Sequence, residues 1–263
     1  MSKWVGNEEH FINHPTVSLL NHLVVGRFGG CSRAGQTKNE DGCLIWFNIE
    51  EDWEFVVLLD AHQTAESAEL ILELMEDNRE ELHELLGLSL CVRFFIHLEE
   101  KIRNLFLHKD FRRKCQEIEG ETSFLLAVRK DKYVWWFSVG DCLLYLFHPE
   151  LAALSQYQLN QRHFYEWIGK INTFEQSVPC YSTGTRELRK GTNHLFMTTD
   201  GLVECPQNHF TDPKKIYQSF MRNSNEEGVK SLLETIQSNN VVDNTTIISW
   251  KVYIEEDGVF PSN

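Results

Sequence analysis

Cys43-Leu-Ile-Trp-Phe-Asn48 and Trp53-Glu-Phe-Val-Val-Leu-Leu-Asp60, joined by Ile49-Glu-Glu-Asp52, form the stretch whose reading decides the fold. Both runs are rich in β-branched and aromatic residues, and the short polar connection between them predicts an antiparallel hairpin. Upstream, Thr16 to Phe28 mixes β-branched and apolar residues up to Gly29-Gly30 and reads as one early strand. Downstream of Asp60 the period changes. Ala68, Ile71, Leu72, Met75, Leu82, Leu85 and Leu86 recur at helical spacing, with Glu66, Glu69, Glu73, Glu76, Glu80 and Glu84 largely on the other face. Gly87 is placed to end that helix. A second stripe at Cys91, Phe94, Phe95, Leu98, Ile102, Leu105 and Phe106 makes two sizeable helices before residue 115.

The strand signal returns at Ser123–Val128, Tyr133–Val139 and Leu143–Phe147. Lys130-Asp-Lys132 and Gly140-Asp141 both read as tight breaks between antiparallel neighbours. A short helix is expected at His163–Ile168, strands at Thr185–Leu188 and His194–Thr199, helices at Asp212–Arg222 and Glu226–Ser238, and a last strand at Thr245–Ile254. Strands in antiparallel groups with helix pairs between them are not a β-α-β-α alternation. A layered α+β sandwich in a single domain fits better than a doubly wound parallel sheet.

Composition bounds the function. The chain of 263 residues carries 25 basic and 39 acidic side chains, a net charge of −14, which argues against nucleic acid or an anionic membrane as partner. Seven cysteines are scattered without a C-x-x-C pair, so neither a disulfide framework nor a common zinc site is indicated. Met1 to His14 lacks the apolar run of a secretory signal, and Gly140-Asp141 interrupts the most apolar stretch. The expectation is a reduced, soluble, cytoplasmic monomer. His10 and His14, spaced i, i+4, lack a third ligand; Gly26, Gly29 and Gly30 lack a phosphate-loop motif and read as a turn.

The chemistry is suggested by where aspartates fall. Asn39-Glu40-Asp41 precedes the first strand of the hairpin and Asp60 ends its second. Asp141 breaks the apolar stretch, Asp200-Gly201 follows Leu195–Thr199, and Asp243-Asn244 opens the last strand. Any one of these is an ordinary turn residue. Several ionised carboxylates at the edge of a buried sheet are costly unless a cation satisfies them, and oxygen ligands suit a hard divalent ion.

Asn39-Glu-Asp41, Leu58-Leu-Asp-Ala-His62, Gly120-Glu-Thr-Ser123, Val139-Gly-Asp-Cys142, Thr198-Thr-Asp-Gly201 and Asp243-Asn-Thr-Thr246, in that order, resemble the PP2C family of metal-dependent serine/threonine protein phosphatases, in its bacterial single-domain form. The resemblance spans residues 20–254. It implies a four-layer α-β-β-α sandwich, two antiparallel sheets flanked by helix pairs. It also implies two Mn²⁺ or Mg²⁺ ions in a cleft at one sheet edge, with room for a third. By motif match Asp60 bridges both ions and Asp200 and Asp243 complete the first. Asp41 and Glu40 contact it directly or through water, Ala61 offers its carbonyl to the second, and Asp141 belongs to the additional position. His62 matches a histidine proposed as general acid.

The implied reaction is hydrolysis of phosphoserine or phosphothreonine in a protein substrate, by attack of a water or hydroxide shared between the two ions. Three departures stand out. Ala61 follows the bridging aspartate where glycine is usual, and Leu143 replaces the arginine that commonly follows Gly-Asp. Gln36 occupies the place of a phosphate-binding arginine, leaving Arg33 and Lys38 as alternative phosphate ligands. These departures motivate a second reading, a phosphatase-like regulatory or phosphoprotein-binding module with little turnover. The stretch Leu159-Asn-Gln-Arg-His-Phe-Tyr-Glu-Trp167 corresponds to the family's variable flap, where it either contacts substrate or packs locally.

Overall fold

The computed structural model describes residues 1–208 and 210–258. In chain order the elements are β1 (Ser2–Val5), β2 (Thr16–Leu20), β3 (Leu23–Phe28), β4 (Gly42–Asn48), β5 (Trp53–His62), α1 (Glu66–Asp77), α2 (Arg79–Gly87), α3 (Phe94–Leu107) and α4 (Lys109–Glu117). There follow β6 (Glu121–Lys130), β7 (Tyr133–Val139), β8 (Leu143–Phe147), α5 (Pro149–Ala153), β9 (Ile168–Gly169), β10 (Ser182–Glu187), β11 (Gly191–Thr198), α6 (Pro213–Gln218), α7 (Asn225–Ser238) and β12 (Thr245–Ile254).

Two antiparallel sheets result. The first runs β1-β4-β5-β6-β7-β10, with β9 pairing the start of β6; the second runs β2-β3-β12-β11-β8. The near-continuous apolar runs are explained by burial of both sheet faces. On β5, Phe55, Val57 and Leu59 pack under α1–α4, while Val56 and Leu58 pack between the sheets. On β8, Leu144 and Leu146 face the other sheet, and Leu143, Tyr145 and Phe147 face α6 and α7. Alternation is thus present but both sides are apolar. The three resulting cores make the four layers α-β-β-α expected from the sequence. No helix among the described residues is long and apolar enough to cross a membrane.

The hairpin expected from residues 43–60 is β4–β5, with Cys43 opposite Leu58 and Asn48 opposite Trp53. Several expectations need correction. Thr16–Phe28 is a hairpin of two strands, turned at Asn21 with φ 55°, because asparagine tolerates the left-handed region. Four helices stand where two were expected. Asn78 breaks the first, its side chain donating to the Leu74 carbonyl at 2.9 Å in competition with the helix. The second stripe is the single helix α3, ended at His108 by an extended ψ of 134°, and α4, capped by His108 through Nδ1, is a further helix beyond it. No helix forms at 163–168. Gly26 lies inside β3 rather than in a turn, where a Cβ would stand 2.5 Å from Val229 of α7.

The largest correction concerns Gly140-Asp141. It is not a hairpin turn: β7 pairs with β6 and β10, whereas β8 pairs with β11 in the other sheet. The chain crosses between sheets here, and Gly140 makes the corner at φ 87°, where a Cβ would meet Ser123 Oγ at 2.2 Å.

Candidate metal centre

The crossing and the strand ends meet at one edge of the sandwich. Asp60 is the eighth residue of β5, opposite Ser123 of β6. Ser123 Oγ donates to Asp141 Oδ1 at 2.7 Å, so the strand that neighbours Asp60 also fixes Asp141. Asp200 opens a single 3₁₀ turn after β11, with Val203 and Glu204 amides donating to its carbonyl at 2.8 and 2.9 Å. Gly201 is required there, since a Cβ would stand 2.2 Å from the Asn244 carbonyl.

Asn244 ties the first and last of these segments. Its Oδ1 accepts from the Glu40 amide at 3.0 Å, and its Nδ2 donates to the Gly29 and Lys38 carbonyls, each at 3.1 Å. Asp41 is fully buried; Oδ2 accepts from Thr246 Oγ1 at 2.7 Å and Thr199 Oγ1 at 3.3 Å. Asp243 Oδ1 accepts from the Asn244 amide at 2.9 Å.

One carboxylate oxygen each from Asp60, Asp141 and Asp200 lies within 4.8 Å of the others. Burial, followed by the charges of Asp200 and Asp41, pushes the Asp60 carboxyl well above its ordinary range. Burial first, then Asp243, raises Asp200 to about 8. Burial likewise raises Asp41 to about 8 against the pull of the two threonine hydroxyls, and raises Asp243. Such crowding is costly without a counter-charge. Among the described residues Asp41 Oδ1, Asp60 Oδ2 and Asp200 Oδ1 are buried with no N–H or hydroxyl partner, and the carboxyls of Asp60, Asp200 and Asp243 lie close enough to share a proton. An all-oxygen donor set with free lone pairs, presented by the end of a strand and by short connections, fits hard divalent cations.

The other expected residues divide. Ala61 is buried in β5 beside Thr122, and Glu40 pairs with Lys38 Nζ at 2.8 Å. His62 ends β5, its ring 6.4 Å from Trp167 edge-on, and its proximity favours the ionised form of Asp243. Lys38 is engaged at the rim by Glu40 and the Gln63 carbonyl. Arg33 is exposed on the turn Ser32–Ala34 and forms no ion pair with the aspartates among the described residues. Leu143 is buried in the core beneath α6 and α7. Gln36 Oε1 accepts from the Thr37 amide at 3.0 Å.

Sequence reasoning gave no role to Thr199, Thr246, Asn244 or Ser123, although all four lie within the quoted motifs. Thr199 adjoins Asp200 and Asn244 adjoins Asp243, which was the available signal for those two; Ser123 and Thr246 adjoin no aspartate in the sequence. Arg162 lies in the 159–167 stretch read as either substrate-contacting or locally packed, a reading that gave it no individual role. Its Nη2 stands 3.7 Å from Asp200, 3.8 Å from Asp141 and 3.1 Å from Glu204.

A sandwich of two antiparallel sheets with clustered carboxylates at one edge defines a fold class, and known structures identify it as the fold of the PP2C-type phosphatases. A bacterial serine phosphatase superposes with a TM-score of 0.64 at 17% identity, over 90% of this chain and 99% of that one. RsbX in complex with magnesium gives 0.59 at 14% identity over 90% and 100%. The serine/threonine phosphatase Stp1 from Staphylococcus aureus gives 0.62 at 14% over 91% and 94%. No protein-family model matches the chain, and no curated protein matches it in sequence.

Proposed function

We propose that the chain is a metal-dependent protein-serine/threonine phosphatase, with Asp41, Asp60, Asp200 and Asp243 holding two Mn²⁺ or Mg²⁺ ions and Asp141 serving a further position. The observation that carries the reading is the set of buried oxygens on Asp41, Asp60 and Asp200 with no N–H or hydroxyl partner among the described residues. The structural likeness to serine/threonine phosphatases, one of them described with magnesium, supports the substrate class and the kind of ion. Divalent ions bound here would acidify a water and spread charge from the phosphoryl oxygens.

The chain's own residues do the rest. Thr199 and Thr246 orient Asp41, Ser123 orients Asp141, and Asn244 keeps the Glu40 and Asp243 segments in register. Ala61 would offer its carbonyl to the second ion, Glu40 would reach the first directly or through water, and His62 is the candidate proton donor to the departing serine or threonine oxygen. Replacing Asp60 or Asp200 by Asn is expected to abolish Mn²⁺-dependent hydrolysis of p-nitrophenyl phosphate and of a phosphothreonine peptide, with the fold retained. Full activity in both variants would sink the assignment.

A second reading, a metal-binding module with little turnover, draws on Gln36, which places a neutral amide where related sequences carry a phosphate ligand. It expects Mn²⁺ binding by the folded wild type without peptide hydrolysis.

A further inference from the structure

Among the described residues, Arg162 is the arginine or lysine that stands within 4.0 Å of the aspartate cluster. It comes from the segment between α5 and β9, outside every motif that marks the site. Three observations define its state. Of its contacts at 3.1, 3.7 and 3.8 Å, only the first, to Glu204, is a hydrogen bond; the approaches to Asp200 and Asp141 are longer. The guanidinium carbon lies over the Phe164 ring, 4.6 Å from its centroid. Its Nε is buried without a hydrogen-bond partner. A planar fork of five donors is therefore held beside the carboxylates with much of its capacity unspent.

The placement is built into the backbone. Two residues before Arg162, the buried Asn160 donates through Nδ2 to the Cys142 carbonyl at 2.8 Å and to Ser138 Oγ at 3.1 Å, and accepts from the Leu144 amide at 2.8 Å. One residue after it, the His163 amide donates to the Gly140 carbonyl at 2.8 Å. Both clamps grip the sheet crossing that carries Asp141, so Arg162 and that aspartate are positioned by the same segment.

Electrostatics gives the guanidinium a task. Two divalent ions do not neutralise Asp41, Asp60, Asp141, Asp200 and Asp243, and a phosphate monoester brings a further charge of about −2 at neutral pH. Gln36 is neutral, Lys38 is committed to Glu40 and the Gln63 carbonyl, and Arg33 is exposed without an ion pair to the cluster. A guanidinium, whose fork matches two phosphoryl oxygens, is suited to such a dianion. From this geometry we infer that Arg162 is the phosphoryl-binding residue of this site, supplied by the α5–β9 segment in place of the position occupied by Gln36. The inference rests on the phosphatase reading for its substrate. The bond it forms is to phosphate itself.

The test is calorimetric titration of inorganic phosphate into the full chain loaded with Mn²⁺, for the wild type, Arg162→Lys and Arg162→Gln, with Mn²⁺ titrations of each. Steady-state kinetics on p-nitrophenyl phosphate run in parallel. The expected result is unchanged Mn²⁺ affinity, with phosphate binding weakened about tenfold or more in R162Q, as for loss of a charged hydrogen-bonding pair. KM rises in step, and R162K falls between. Phosphate affinity in R162Q within about twofold of wild type, or no phosphate binding by the wild type, overturns the inference. So does loss of Mn²⁺ binding in both variants, which would make Arg162 a support for the carboxylates. Phosphate binding that depends on Arg162 in a wild type without turnover upholds the inference and overturns the phosphatase reading alone.

Discussion

At the scale of single residues, the site and the core answer burial of polar groups in opposite ways. Asp41 is buried with one oxygen accepting from two threonine hydroxyls and the other, among the described residues, without a hydrogen-bond partner. His194 of β11 is buried for packing: Nε2 lies 2.6 Å from Ser249 Oγ and the ring 4.5 Å from Phe220, edge-on. Burial first, then the Lys251 charge, pushes its pKa down to about 3. Because the folded state disfavours the protonated ring, stability is complete above the unfolded value near 6.5 and falls as pH drops toward 3. His194→Gln is expected to change in Tm less unfavourably than wild type between pH 7 and pH 5, the raised aspartates of the cluster acting alike in both proteins. Equal changes in the two proteins would show that another group carries the acid limb.

Among the elements, the sequence was most legible where local pattern alone decides. The β4–β5 hairpin, β12 at Thr245–Ile254 and α7 were read nearly to the residue, because period and turn chemistry agree in each. The β7–β8 junction was misread because two apolar runs around Gly-Asp look the same whether the chain turns back or changes sheet. Only the partners β10 and β11, far along the chain, distinguish these outcomes. The aspartates at strand ends were visible for the same local reason, whereas the 159–167 stretch was legible only as a whole, as flap or local packing, because no period or motif distinguishes Arg162 within it. The helix α7 offers a local test. Ser224 and Glu227 form a reciprocal capping box, and Val229, Leu232, Leu233 and Ile236 bury its inner face. Ser224→Ala should cost about 1 kcal/mol in urea unfolding, with phosphate and Mn²⁺ binding unchanged. No measurable shift would mean that packing alone holds the helix start.

For the whole molecule, three apolar cores rigidify four layers so that turns at one edge can hold mutually repelling carboxylates. That arrangement sets function against stability. Asp60 is the member most surrounded, feeling Asp200, Asp41, Asp243 and Asp141 together inside a buried site. Removing its charge relieves repulsion in the metal-free protein and at the same time removes an oxygen, Oδ2, that has no N–H or hydroxyl partner among the described residues and that a cation would use. Asp60→Asn is therefore expected to melt above wild type in EDTA at pH 8. Wild type should gain Tm as Mn²⁺ is added, in proportion to the logarithm of free ion above its Kd, and the variant should gain much less. The crossing of the two melting curves is the signature of a metal centre whose ligands are held together at the expense of the fold. If Asp60→Asn melts below wild type in EDTA and responds equally to Mn²⁺, Asp60 is a structural carboxylate and the ions, if bound, are held elsewhere.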